Sequence, residues 1–153
     1  KFASGRFAIM PPVVGAIKYI LEKNSAELRG KNIAVVGAGG KLVGKPVVLW
    51  LSSLNLPFRA ITENSSEDEM KRAVAEADIL ISGVGKAGLI GADMVKDGVV
   101  ALDAGVSSDA GTIRGDFEPA VAKKASLFTP VPGGVGPLTV AMLFKNLITL
   151  AKK

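Results

Sequence analysis

The chemistry this chain can offer lies mainly in bare backbone. Thr129–Thr139 reads Thr-Pro-Val-Pro-Gly-Gly-Val-Gly-Pro-Leu-Thr, three prolines and three glycines in eleven residues. Proline fixes φ and glycine allows close approach, so the segment is a shaped loop. Gly133–Gly136 can bring amides against a flat or anionic ligand. A second such stretch is Gly37-Ala38-Gly39-Gly40-Lys41-Leu42-Val43-Gly44. It follows an apolar run and precedes a helical one, so its amides and the helix N-terminus suit a pyrophosphate. It is not a strict G-x-G-x-x-G, because Leu42 takes the third glycine's place and Gly44 comes two later. Gly39-x-x-x-x-Gly44-Lys45 also fits the loop of nucleoside triphosphate hydrolases, but Pro46 stands where a hydroxyl should meet Mg²⁺. That substitution removes a hydroxyl and an amide together and argues against a phosphotransferase.

Four side chains have two readings each. Glu63, about 26 residues past Gly37, is placed for the 2′-hydroxyl of an adenosine ribose, which would favour NAD over NADP, or is a solvated loop acid. Ser65 bonds ribose or phosphate, or caps the next helix. Asp103 closes a buried strand, either as a structural acid holding loop amides or as a catalytic group. Lys45 is a ligand cation or a surface one.

Composition removes other chemistries. The 153 residues contain no cysteine and no histidine, which rules out thiolate metal sites, disulfides and imidazole acid–base catalysis within the chain. A net charge of +5 suits anionic ligands, and without a basic tract it does not suggest nucleic acid. No apolar run reaches the roughly 20 residues that span a bilayer. No leader is visible, so a cytoplasmic location is expected. The chain starts at Lys1, as expected of a piece of a longer protein.

These loops need elements to hold them. Met10-Pro11-Pro12 is a rigid entry after a lead-in over 1–9, and Val13–Lys23 has helical spacing. Lys31–Val36 is apolar, as expected of a strand buried on both faces. Helix is expected over Leu42–Leu54 from near Val43–Gly44, strand over Pro57–Thr62, and helix from Ser65–Glu69 to about Ala77. Asp78–Ser82 and Val99–Asp103 read as strands, with a short helix over Gly91–Lys96 between them. Thr112–Asp116 reads as one arm of a hairpin, Pro119–Lys124 as a short helix and Ser126–Phe128 as a last strand. A final helix carries Leu138–Leu150, its Met and Phe side chains and Tyr19 of the first helix being read as packing. The result is one α/β domain over 1–153: a Rossmann-type, doubly wound, mainly parallel sheet with helices on both faces. Four of its five strand ends carry glycine.

The same residues resemble the C-terminal, cofactor-binding domain of the bifunctional methylenetetrahydrofolate dehydrogenase/cyclohydrolase family. Thr129–Thr139 is nearly identical to that family's Pro-Gly signature. Val36-Gly37 with Val43–Pro46, Ala77–Ile81 with Gly83–Lys86, Asp103–Val106 and Gly115-Asp116 are similar to further blocks. The likeness covers essentially the whole chain in order. It implies an NAD or NADP site built from Gly37, Ala38, Gly39 and Gly40 at the pyrophosphate and adenosine ribose, with Ser65 at the ribose; Glu63, by its spacing, and Lys41, in place of the family's Arg, complete the expected cofactor-binding set. Val106 would meet the nicotinamide half. Pro132, Gly133 and Gly136 would line the junction with folate, and Thr139 would donate a hydrogen bond there.

The departures from the family pattern carry information. The family's cofactor loop usually reads Gly-Arg-Ser, whose Arg holds the 2′-phosphate of NADP. Here the loop is Gly37-Ala38-Gly39-Gly40-Lys41, and a lysine lacks the guanidinium fork. With Glu63 nearby, NAD gains over NADP. The family's His-Ser appears as Asn64-Ser65. The early Pro-Cys-Thr-Pro-x-Gly motif is blurred to Met10–Gly15, which alters a segment that helps join two domains. The family's catalytic Lys, with Tyr and Gln partners, belongs to an N-terminal folate-binding domain that this chain lacks. The resemblance thus implies a folate substrate at the junction with a missing domain, a reaction these residues alone do not complete, and a homodimer. The alternative is a stand-alone, non-catalytic nucleotide-binding module.

Overall fold

A computed structural model describes residues 9–109 and 111–152; the lead-in expected over 1–9 lies almost wholly outside them. Five strands form one parallel sheet: β1 (Ile33–Val36), β2 (Arg59–Ile61), β3 (Ile79–Ser82), β4 (Val100–Asp103) and, beyond a small side pair, β7 (Leu127–Phe128). Their order is β2-β1-β3-β4-β7, with every pairing parallel. The side pair, β5 (Ser107–Asp109) and β6 (Thr112–Arg114), is antiparallel, which bears out the expected hairpin arm.

β1 and β3 are buried along their whole length, the condition that makes a parallel strand read as an unbroken apolar run. Their alternate residues feed two cores. Ile33, Val35, Ile79 and Ile81 face α1 (Pro12–Lys23) and α2 (Gly44–Ser53). Ala34, Val36 and Leu80 face α3 (Glu67–Glu76) and the 3₁₀ turn Pro119–Lys123. Each fully buried Ile contributes roughly 2 kcal/mol by leaving water. Helices on both faces of a parallel sheet, with the order of strand addition switching sides between β1 and β3, give the expected doubly wound α/β fold.

The helix ends follow their sequences. Pro12 occupies the first turn of α1, where no amide partner is needed. Ser66 caps α3: its hydroxyl accepts from Glu69 N–H at 3.2 Å while the Glu69 carboxyl accepts from Ser66 N–H at 2.9 Å. The cap is therefore Ser66 and not Ser65, whose hydroxyl accepts from Thr62 N–H at 3.2 Å instead.

Three expectations fail. Gly91–Lys96 forms turns, not a helix. Ile90 before it is tied into extended backbone, donating to Asp116 and accepting from Glu118 at 2.9 Å each. The last helix, α4 (Val135–Ala151), starts three residues before Leu138, since Gly136 and Pro137 are tolerated in a first turn whose amides have no partner. Its apolar residues are not all core. Met142 packs on α1, 3.2 Å from where a Cβ on Gly15 would lie, but Phe144 is 60% exposed. Tyr19 is likewise about half exposed.

Candidate functional site

Register sets the site. Val36 pairs with Ile61 and with Ser82, and Ser82 pairs with Asp103. Four strands therefore stop in one row, and the loops after them share one edge, where such sheets bind ligands.

The β1 loop turns tightly at that edge. Gly37 and Ala38 N–H both donate to the Ile61 carbonyl at 2.9 Å, Gly40 N–H donates to Gly37 at 2.9 Å, and Lys45 N–H to Gly40 at 2.8 Å. Those amides shape the loop. The amides of Gly39 and of Lys41–Gly44 donate to no group among the described residues. A Cβ on Gly44 would overlap the Gly37 carbonyl oxygen and lie 2.6 Å from the Ala38 carbonyl carbon. Gly44 thus does what the third glycine of a dinucleotide fingerprint does, letting helix and strand pack closely, two positions later than the usual spacing.

Glu63, just past β2, reaches the same loop: one carboxyl oxygen lies 2.9 Å from where a Cβ on Gly39 would be. Ser65 is half-buried, while Lys41 and Lys45 are exposed cations without an ion pair among the described residues. Ser65 belongs to this turn through its bond to Thr62.

Two buried acids brace the remaining loops. Asp103 is 1% exposed and Asp116 is fully buried. Asp103 accepts from Gly105 N–H at 3.0 Å, Asp116 N–H at 3.2 Å and Phe117 N–H at 3.0 Å. This bears out the structural reading of Asp103. Burial pushes its carboxyl up to about 6; the amides of Phe117, Asp116 and Gly105 pull it down and the Asp116 charge adds to the rise. Its own N–H donates to the Thr129 hydroxyl at 2.7 Å, tying β4 to the start of the Pro-Gly loop. Asp116 accepts from four donors: the Ser82 hydroxyl at 2.6 Å and the amides of Val84, Gly85 and Lys86 at 2.7, 2.9 and 2.8 Å.

The Pro-Gly loop closes the row. Gly134 N–H donates to Pro130 at 2.7 Å, and the Val131–Pro132 peptide is cis. Gly133 has φ +113° with nothing within 4 Å of a would-be Cβ. Pro132, Gly133 and Gly136 are exposed. Thr139, expected as a donor, gives its proton to the Val135 carbonyl at 2.9 Å, so toward a ligand its oxygen is an acceptor.

Four of the expected residues approach one another or a neighbouring loop: the Glu63 carboxyl lies against the Cβ position of Gly39, the Gly83 carbonyl against that of Gly37, and the Val106 carbonyl against that of Gly85. Val106 is 59% exposed on this edge. None of these approaches reaches Lys41, Pro132, Gly133, Gly136 or Thr139. Sequence reasoning gave Asp116 and Ser82 no role; a Gly-Asp pair just after a hairpin arm was the available signal. The cleft lined by Leu21, Leu28, Arg29, Trp50 and Leu56 opens at the opposite end of the sheet, away from these groups. Among the described residues no acidic group of three or more could hold a metal, and no helix is long and apolar enough to cross a membrane.

The topology, the glycine loop with open amides and the acid beyond β2 define a Rossmann-type dinucleotide-binding domain. The chain belongs to the tetrahydrofolate dehydrogenase/cyclohydrolase, NAD(P)-binding domain family, whose model matches residues 11–153. Among similar proteins, the bifunctional protein FolD of Nautilia profundicola is 44% identical over 135 residues, covering 87% of this chain and 46% of its own length. That of Methanosarcina mazei is 39% identical over 154 residues, 100% of this chain and 53% of its own. A Trypanosoma brucei methylenetetrahydrofolate dehydrogenase-cyclohydrolase complexed with NADP and an inhibitor superposes with a TM-score of 0.89 at 30% identity, over 99% of this chain and 54% of that one. The bifunctional FolD of Campylobacter jejuni gives 0.88 at 32%, with the same coverage. The chain spans about half the length of the curated relatives it matches.

Proposed function

We propose that this chain is the cofactor-binding half of a 5,10-methylenetetrahydrofolate dehydrogenase/methenyltetrahydrofolate cyclohydrolase, and that it takes NAD in preference to NADP. The observation that carries the preference is the Glu63 carboxyl lying against Gly39. A carboxyl there accepts from ribose hydroxyls and opposes a 2′-phosphate. Lys41 offers only a point charge in place of a fork.

The edge fits a dinucleotide. The open amides of Gly39 and Lys41–Gly44, at the start of α2, are donors for a pyrophosphate. Gly37, Ala38 and Gly40 serve by shaping the loop. Ser65 stands beside Glu63 for the adenosine ribose, Val106 flanks the nicotinamide half, and Pro132, Gly133, Gly136 and Thr139 line the junction with folate. When bound, a nicotinamide dinucleotide supplies acceptance of hydride from the folate methylene carbon. The chain's own share is to bind, orient and exclude water.

The folate-binding half, with the acid–base groups for hydride transfer and cyclohydrolysis, is to be found in a second domain. α4 offers it a surface. Val140, Leu143, Phe144, Leu147 and Ile148 recur at helical spacing on one face, each about half exposed, whereas the other face carries Met142 onto α1 and Asn146 to the Met10 carbonyl just before it. An outward apolar stripe of that kind normally has a partner. The reading also implies a homodimer and a cytoplasmic location; sedimentation of the chain checks the first.

Separate calorimetric titrations with NAD⁺ and NADP⁺ at low salt test the proposal. Tighter NAD⁺ binding supports it, tighter NADP⁺ binding overturns the Glu63 preference, and binding of neither overturns the cofactor reading.

A further inference from the structure

Asp116 is buried, yet it belongs to none of the groups that would touch a phosphate or adenosine. Three of its four donors are the consecutive amides of Val84, Gly85 and Lys86. Consecutive amides converging on one point form a nest of the type that binds anions. Here the chain fills the nest itself, with a carboxyl from about thirty residues further on. The loop after β3 is therefore closed to an external anion.

The filling has a geometric consequence. The peptides joining residues 83–86 are trans, since the described chain has its cis bond at Val131–Pro132. In a planar trans peptide N–H and C=O point opposite ways. Three N–H groups aimed inward at Asp116 turn the carbonyls of Gly83, Val84 and Gly85 outward. The Gly83 oxygen lies 2.9 Å from where a Cβ on Gly37 would be, on the side of the β1 loop. None of these three carbonyls accepts a hydrogen bond among the described residues. Val84 and Gly85 are exposed and Gly83 half-buried. The β1 loop thus shows donors to the edge while its neighbour shows acceptors.

We propose that Asp116 is a positioning residue that converts the β3 loop into an acceptor surface for the ribose hydroxyls of the nicotinamide half of the cofactor. The assignment rests on the dinucleotide reading above. Strand order supports it: with Glu63 at the β2 end and the open amides at the β1 end, a dinucleotide running along the edge passes the β3 end with its second ribose. Hydroxyl groups donate to such carbonyls; phosphates cannot. The Ser82 hydroxyl, on Asp116 at 2.6 Å, fixes the carboxyl's orientation.

The test compares affinities for ADP and for whichever dinucleotide the wild-type chain binds more tightly, in wild type, Asp116→Asn and Ser82→Ala. The buried Trp50 reports folding by its fluorescence. An asparagine cannot accept from three amides and a hydroxyl together, so the loop peptides turn. The expected result is a folded Asp116→Asn chain whose ADP affinity is unchanged and whose dinucleotide affinity falls about tenfold or more, toward that of ADP. Ser82→Ala, which keeps the amide bonds, is expected to show a smaller loss, again confined to the dinucleotide. Equal losses for ADP and dinucleotide would mean a general structural role and overturn the assignment, as would an unchanged ratio. If Asp116→Asn does not fold, Ser82→Ala decides by the same ratio. A wild-type chain that binds no dinucleotide overturns the functional reading, and this assignment with it.

Discussion

One carboxyl oxygen of Glu63 lies 2.9 Å from the position a Cβ on Gly39 would take. The second glycine of the β1 loop and the acid beyond β2 thus meet, although they are far apart in sequence. The absent Cβ makes room for the carboxyl, and the proposed function gives that carboxyl the adenosine ribose of the cofactor.

Glu63→Gln removes the charge and keeps the shape. The glutamine still bonds a ribose but no longer repels a 2′-phosphate. The NAD⁺/NADP⁺ affinity ratio is expected to fall about tenfold, the equivalent of roughly 1.4 kcal/mol, chiefly through tighter NADP⁺ binding. An unchanged ratio, read by calorimetry, would remove Glu63 from the site.

Gly133→Val separates fold from binding. A side chain at Gly133 meets no atom within 4 Å, but φ there is +113°, where a β-branched residue is strained. A cost of about 1–3 kcal/mol is expected, felt by an exposed loop. The chain should stay folded by circular dichroism and lose cofactor binding. Normal affinity in a folded variant would sink the role of this loop.

Asp103 makes stability depend on pH in an unusual direction. Its folded value is about 6, against 3.8 for a free aspartate side chain. Between those values the folded chain holds a proton that the unfolded chain has lost. The associated stability is present below about 4 and lost as pH rises through about 6, an amount of about 3 kcal/mol. Asp78, whose carboxyl is lowered first by its bond from Lys96 and then by the Asn32 amide, acts the opposite way. The useful quantity is therefore the difference between wild type and Asp103→Asn in urea unfolding from pH 4 to 7. That difference should be largest near pH 4 and shrink toward pH 7. A constant difference would show that Asp103 does not carry the shift.

The α4 stripe gives a prediction about assembly. Leu143→Asp with Leu147→Asp changes two exposed positions, so the isolated chain should fold normally and aggregate less. Its association with the folate-binding half of a relative, supplied separately and followed by gel filtration and dehydrogenase activity, should be lost. Unaltered association would place the docking surface elsewhere.

The sheet was legible because its chemistry is local. Ile33–Val36 and Ile79–Ser82 are short apolar runs that only a doubly covered strand explains, and Ser66–Glu69 spells its own cap. The glycine loop was legible as a ligand loop, but not which of its amides are open. That follows from the Ile61 carbonyl, which takes the Gly37 and Ala38 amides from another strand. Asp116 was visible in the Gly115-Asp116 pair, but its bracing role was not, since its partners sit some thirty residues earlier. The failed helix at Gly91–Lys96 and the exposed Phe144 share one lesson. Local periodicity reports neither a long-range tie such as Ile90 to Phe117 nor whether an apolar face has a partner within the chain.

The most direct test of the central claim is calorimetric titration of the purified chain with NAD⁺ and, separately, NADP⁺ at low salt. Saturable binding of one dinucleotide per chain, tighter for NAD⁺, is the expected result. Tighter binding of NADP⁺ would contradict the role given to Glu63, and heats no larger than dilution for both would contradict the cofactor site itself.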